Sequence, residues 1–240
     1  MPLIAAAVCP HPPLLVPEVA GAAASELDAL RAACDEAVHR LFGEGGVESL
    51  VVVGADVATR AYGADAAGSF EPYGLELALG EGEPVLPLSL TIGRWLLTRG
   101  ADAGTPHLAG EASVDVRFQG VAEDASTVEC LALGAELAGS AERVALLVLG
   151  DGSACRGEKS PGYLDDRAEP YDAVVAKALE QADTATLAGL DPALSRELLA
   201  AGRAAWQVLA GATGETRFTG TLLADEAPYG VGYLVASWTR

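Results

Sequence analysis

Aromatic residues make up only 5% of this 240-residue chain, and there is a single Met. Filling a core therefore falls to Ala, Val and Leu. With 50% hydrophobic and 20% charged residues there is enough apolar material for one, which excludes a disordered chain. Histidine is scarce: His11, His39 and His107 are the only three, so chemistry that needs several imidazoles has few to draw on. The four cysteines, Cys9, Cys34, Cys130 and Cys155, form no CxxC pair. That excludes a zinc finger and predicts reduced thiols. Positive charge is short as well, with 15 Lys and Arg against 34 Asp and Glu and a net charge of −19. No basic stripe offsets it, which argues against phosphate backbones and anionic lipid. No Lys or Arg precedes Arg31, so the opening apolar run lacks the positive region of a secretory leader. No apolar stretch reaches membrane-spanning length. These absences predict a cytoplasmic protein with a small-molecule partner, no nucleic acid and no membrane, and they leave a homo-oligomer open.

What is present reads as alternating strands and helices in one domain over residues 1–240. Leu3 to Val8 is a buried strand stopped by Cys-Pro-His-Pro-Pro. Ser25 is placed to cap a helix carrying Leu27, Leu30, Cys34, Ala37 and Leu41 at helical spacing, and glycines follow it. Leu50 to Val53 is a second strand, ending at Gly54. Residues 55–83 read as a long functional loop with little regular structure. Ile92 to Leu97 predicts a helix, Ser113 to Phe118 a strand, and Ala122 to Leu137 a helix. Arg143 to Leu149 (RVALLVL) is the strongest buried-strand signal. Residues 154–166 predict a surface loop able to act as a lid. Helices are expected over Ala168 to Ala182, Pro192 to Leu199 and Ala204 to Leu209. Thr216 to Leu223 and Gly232 to Trp238 read as a final hairpin. The order predicts an α/β sandwich, a mostly parallel sheet with helices on both faces. Ligands in such folds bind beyond the carboxyl ends of the strands, an address shared by residues 9–13, 54–56 and 150–155.

Several residues at that address can carry chemistry. His11, held between prolines, reads as a metal ligand or acid/base group, or as a polar residue of a rigid turn. Asp56 in VVVGAD reads as a carboxylate ligand facing His11, or as a turn residue. Asp151 and Ser153 suggest a nucleophile turn or a phosphate loop, although the G-x-S-x-G and Walker patterns are both missing. Cys155 has Arg156 and Lys159 nearby to activate its thiol, or is an ordinary cysteine. Glu226 stands before the last strand as a late carboxylate or a solvated turn residue. His39 and His107 read as surface residues.

CPHPPLLVPEV after the first strand, VVVGAD after the second, LGDGSACRGEKSPGYLDDRAEPYD and the ending APYGVGYLVASW together resemble the class III extradiol dioxygenase superfamily, of the LigB and Memo type. The similarity runs over most of the length and looks most like an actinobacterial branch. It implies a LigB-like α/β sandwich and a non-haem Fe(II) site of two His and one carboxylate that cleaves catecholic rings, with a further His as acid/base. His11 matches the first metal-ligand position. Asp56 stands where the second His is expected, Ala154 where the acid/base His is expected, and Glu226 is the candidate late carboxylate. A His11–Asp56–Glu226 set is harder and more anionic, suited to Mn²⁺ or Mg²⁺, to loosely held Fe(II), or to no metal. These departures predict little ring cleavage and leave two expectations: a divergent metal-dependent oxygenase using Asp151, Ser153 and Cys155, or a non-catalytic relative that binds a small molecule or a protein.

Overall fold

A computed structural model describes residues 2–43, 46–102 and 114–240. Its frame consists of strands that are mostly apolar and buried. β1 (Leu3–Cys9), β2 (Ser49–Asp56) and a later strand, Val144–Leu149, are buried almost throughout, as a sheet covered on both faces requires. Between β1 and β2 lie a short helix, α1 (Pro17–Ala20), and α2 (Asp28–Leu41). After β2 come the short strands β3 (Arg60–Tyr62), β4 (Gly68–Ser69) and β5 (Ala78–Leu79), then α3 (Leu88–Asp102). The chain continues through β6 (Asp115–Ala122), α4 (Thr127–Ala138) and β7 (Val144–Leu149). It closes with α5 (Ala168–Gln181), α6 (Thr184–Ala188), α7 (Pro192–Glu197), α8 (Arg203–Thr213), β8 (Thr219–Glu226) and β9 (Tyr233–Thr239).

The principal sheet has seven strands in the order β3-β6-β2-β7-β1-β9-β8. β6, β2, β7 and β1 are parallel, while β3, at one edge, runs antiparallel to β6. The β8–β9 hairpin adds antiparallel to β1 at the other side. The expected sandwich and its final hairpin are both present. Side chains alternate between two cores. Val51, Val53, Leu146 and Val148 pack with α4, α5 and α8, whereas Leu50, Val52, Leu147 and Leu149 pack with α2 and α3. No described helix is long and apolar enough to cross a membrane.

Three expectations shift in detail. Ser25 lies inside a 3-10 segment, Gly21–Leu27, and α2 begins at Asp28 without a side-chain cap. The helix expected from Ala122 begins at Thr127, because Ser126 and Glu129 form a reciprocal capping box that sets the start there. Residues 55–83 are not wholly irregular: they supply β3, β4 and β5. His107 and Ser113 lie outside the described residues, and His39 is exposed as expected.

Candidate functional site at the carboxyl edge

Parallel registry brings the ends of β7, β1 and β2 to one edge. Cys9 lies opposite Leu149 and Val53 opposite Val148, and the Gly150 N–H donates to the Cys9 carbonyl at 2.9 Å. Just past those ends, the His11 N–H donates to Asp151 Oδ1 at 2.7 Å, and its Nδ1 lies 3.6 Å from the same oxygen. Both side chains are mostly buried, and Nδ1 has no hydrogen-bond partner among the described residues. Burial pushes the Asp151 carboxyl above its usual range, and His11, through its charge and its backbone N–H, only partly offsets this. Tyr233 opens β9. It lies close enough to Asp151 to feel its charge. Burial and the nearby Asp151 both raise the Tyr233 phenol, keeping it protonated.

Asp56, at the same edge, is engaged elsewhere. Its Oδ2 accepts from Arg60 Nε at 3.0 Å and from the Tyr62 hydroxyl at 2.6 Å, and its Oδ1 from the Val57 N–H at 2.6 Å. The carboxylate lies over β6, where a Cβ on Gly120 would come within 2.5 Å of Oδ2. Asp56 therefore points toward β6 and β3, away from β7 and β1. Burial alone would raise its carboxyl, but the hydrogen bonds from Arg60, Tyr62 and Val57 outweigh this and hold it below the usual value. Tyr62 is pushed up to about 12 by burial and by its bond to Asp56.

Glu226 is half-buried, at the end of β8 and paired with Tyr233. Four strand spacings separate β2 from β8 in the sheet order, roughly 19 Å at about 4.8 Å each. His11, Asp56 and Glu226 thus do not converge, and no group of three His, Cys, Asp or Glu able to hold a metal occurs among the described residues. The donor set does not fit the iron site that the resemblance implies.

Ser153 and Cys155 belong to the scaffold of their loop. The Ser153 hydroxyl donates to the Leu198 carbonyl at 2.9 Å and accepts from the Cys155 N–H at 3.1 Å. The Cys155 thiol lies against the carbonyls of Gly162 and Leu198. Beneath them, buried Asp172 accepts from the Ser153 N–H at 2.7 Å and from Arg156 Nη1 at 3.0 Å. Gly152 and Gly232 pack so closely on Asp172 that neither has room for a Cβ. The span 154–166 contains no helix or strand, as expected, and is bonded to Leu198 and Gly230 through the Ala154 and Arg156 N–H groups.

The fold has a counterpart in a solved structure. The chain is similar to an uncharacterised protein from Escherichia coli K12, JW3007. The match has a TM-score of 0.55 at 14% identity and covers 99% of this chain and 100% of the other. It shows a shared fold. No family model and no curated protein matches the chain.

A cleft of about 570 Å³ also opens at this edge, lined by Asp56, Val57, Glu123, Asp124 and residues of α7 and α8, including Arg203. His11 does not line it. Sequence reading missed Tyr233, Asp172, Arg60, Tyr62 and Arg203. For Arg60 and Tyr62 a signal existed: the alternation of Thr59-Arg60-Ala61-Tyr62 after Asp56 fits a short strand folding back. Tyr233 and Asp172 carry no local signal, since registry across distant strands and helices brings them in.

Proposed function

We propose that this chain is a divergent relative of the class III extradiol dioxygenases that keeps a small-molecule site at the carboxyl edge and has lost catechol ring cleavage. The observation that supports it most is the division of the candidate ligands. His11 stands with Asp151, while Asp56 is committed to Arg60 and Tyr62. A buried imidazole nitrogen without a partner among the described residues, beside a carboxyl that burial biases toward its protonated form, suits hydrogen bonding or proton exchange with a polar ligand. Ala154, with no side chain able to transfer a proton, stands where the superfamily's acid/base residue is expected.

The test is an assay of simple catechols after anaerobic addition of Fe(II), read by the absorbance of ring-opened product, run beside a thermal-shift screen of small polar aromatics. The expected result is no ring opening, together with ligand-dependent stabilisation that His11→Ala removes. Robust ring cleavage overturns the loss of that activity. Stabilisation that persists in His11→Ala overturns the site.

A further inference from the structure

Three carboxylates are buried around the carboxyl edge, and two of them hold a guanidinium. Asp56 is 6% exposed and pairs with Arg60; Asp172 is 1% exposed and pairs with Arg156. The Asp151 side chain is only 14% exposed, yet no Lys or Arg pairs with it among the described residues. The hydrogen bond its carboxylate accepts there comes from the His11 backbone N–H at 2.7 Å. The His11 imidazole does not complete the set, because Nδ1 lies 3.6 Å away and forms no hydrogen bond. A carboxylate held out of water without a cation is costly, and a cation arriving from outside would relieve that cost.

Two more polar atoms beside Asp151 are unmatched. His11 is 8% exposed, and its buried Nδ1 has no partner among the described residues. Tyr233 is 3% exposed and close enough to Asp151 to feel its charge, and its hydroxyl forms no hydrogen bond among the described residues. With the imidazole proton on Nε2, Nδ1 is an acceptor, as are the phenol oxygen and the carboxylate. An ammonium group carries three donors and no acceptor, which matches this set, whereas an anionic ligand would meet like charge. The net charge of −19 draws cations to the chain and repels anions. We propose that the site at His11 binds a small organic primary amine, its ammonium held by Asp151, His11 Nδ1 and the Tyr233 hydroxyl. This rests on the small-molecule site proposed above and names the ligand class which that site selects.

Isothermal titration of the whole chain with benzylamine near neutral pH tests this, with benzyl alcohol, benzoate and Mn²⁺ as comparison probes. Saturable benzylamine binding with a Kd near or below about 1 mM is expected, with benzyl alcohol weaker by about tenfold or more and benzoate undetected. Asp151→Asn keeps an acceptor for the His11 N–H, so the fold is retained, and it should weaken benzylamine by about tenfold or more. Tyr233→Phe keeps the ring and should weaken benzylamine by a smaller factor. Absence of saturable benzylamine binding overturns the proposal, as does an unaltered affinity in folded Asp151→Asn. Benzyl alcohol that binds as tightly as benzylamine, and is lost in His11→Ala, overturns the amine assignment and leaves the small-molecule site standing. Benzylamine binding that persists in His11→Ala overturns both. Mn²⁺ that binds stoichiometrically and displaces benzylamine replaces the amine with a metal ion.

Discussion

Asp56 and Asp151 end equivalent strands in nearly the same words, Gly-Ala-Asp after β2 and Gly-Asp after β7, yet they are different chemical objects. Asp56 meets a guanidinium, a phenol and a backbone N–H, and its carboxyl is held low. Asp151 meets one backbone N–H and an imidazole, deep among apolar strands, and its carboxyl is pushed up by burial. The strand itself does not set the difference. The neighbours do: β3, the edge strand on the far side of β6, delivers Arg60 and Tyr62 to Asp56, whereas Asp151 follows β7, which is flanked by the apolar strands β2 and β1. A carboxylate within reach of an edge strand is readily matched by the cation and hydroxyl that strand carries. One past a central strand depends on what its two buried neighbours present.

Substitutions on the β2 side should give the largest effects. Asp56→Ala leaves Tyr62 and Arg60 without their acceptor and should cost about 2–3 kcal/mol in chemical denaturation. Gly120→Ala pushes a methyl group into the Asp56 carboxylate and should cost about 1–2 kcal/mol by the same measurement. Tyr62→Phe removes one hydrogen bond to a charged acceptor and should cost about 1 kcal/mol. The smallest effect belongs to Asp151→Asn, which keeps an acceptor for the His11 N–H. Near neutral pH it should be as stable as the wild type or more so.

Stability measured against pH sharpens the contrast, because the two groups act with opposite sign. Asp56 has a folded value below its ordinary 3.8, so its contribution is complete above that pH and is lost as pH falls through the folded value. Asp151 has a folded value above 3.8, so its contribution is complete below that pH and is lost as pH rises through the folded value. Asp56→Ala should therefore flatten the acid limb of the stability curve, and Asp151→Asn the limb just above it. Identical curves for the two variants would erase the distinction.

The central strands were legible in the sequence because β1, β7 and the middle of β2 are continuous apolar runs, a pattern that survives any context. β3 was missed because its alternation spans only three residues, two of them exposed, in a stretch rich in Gly and Ala, and pairing with β6 is what makes them a strand. α6 was missed for a similar reason: five residues, Thr184–Ala188, are held by the Asp183 side chain rather than by an apolar face. His11 was found from its rigid flanks and Asp151 from its place after the strongest strand, and the two do meet. Asp56 was correctly placed at the edge, but its direction depended on Gly120, whose missing side chain opens the space over β6.

The β1–β9 pairing has a consequence for how the molecule comes into being. β1 precedes β9 by more than 220 residues of chain, so Ala6 emerges long before its partner Trp238. Until then β1 offers an unpaired, nearly all-apolar edge once it has docked on β7, the kind of template that invites association with other nascent chains. Tyr233 arrives with the same strand, so the surroundings of Asp151 are complete only once the hairpin has paired with β1.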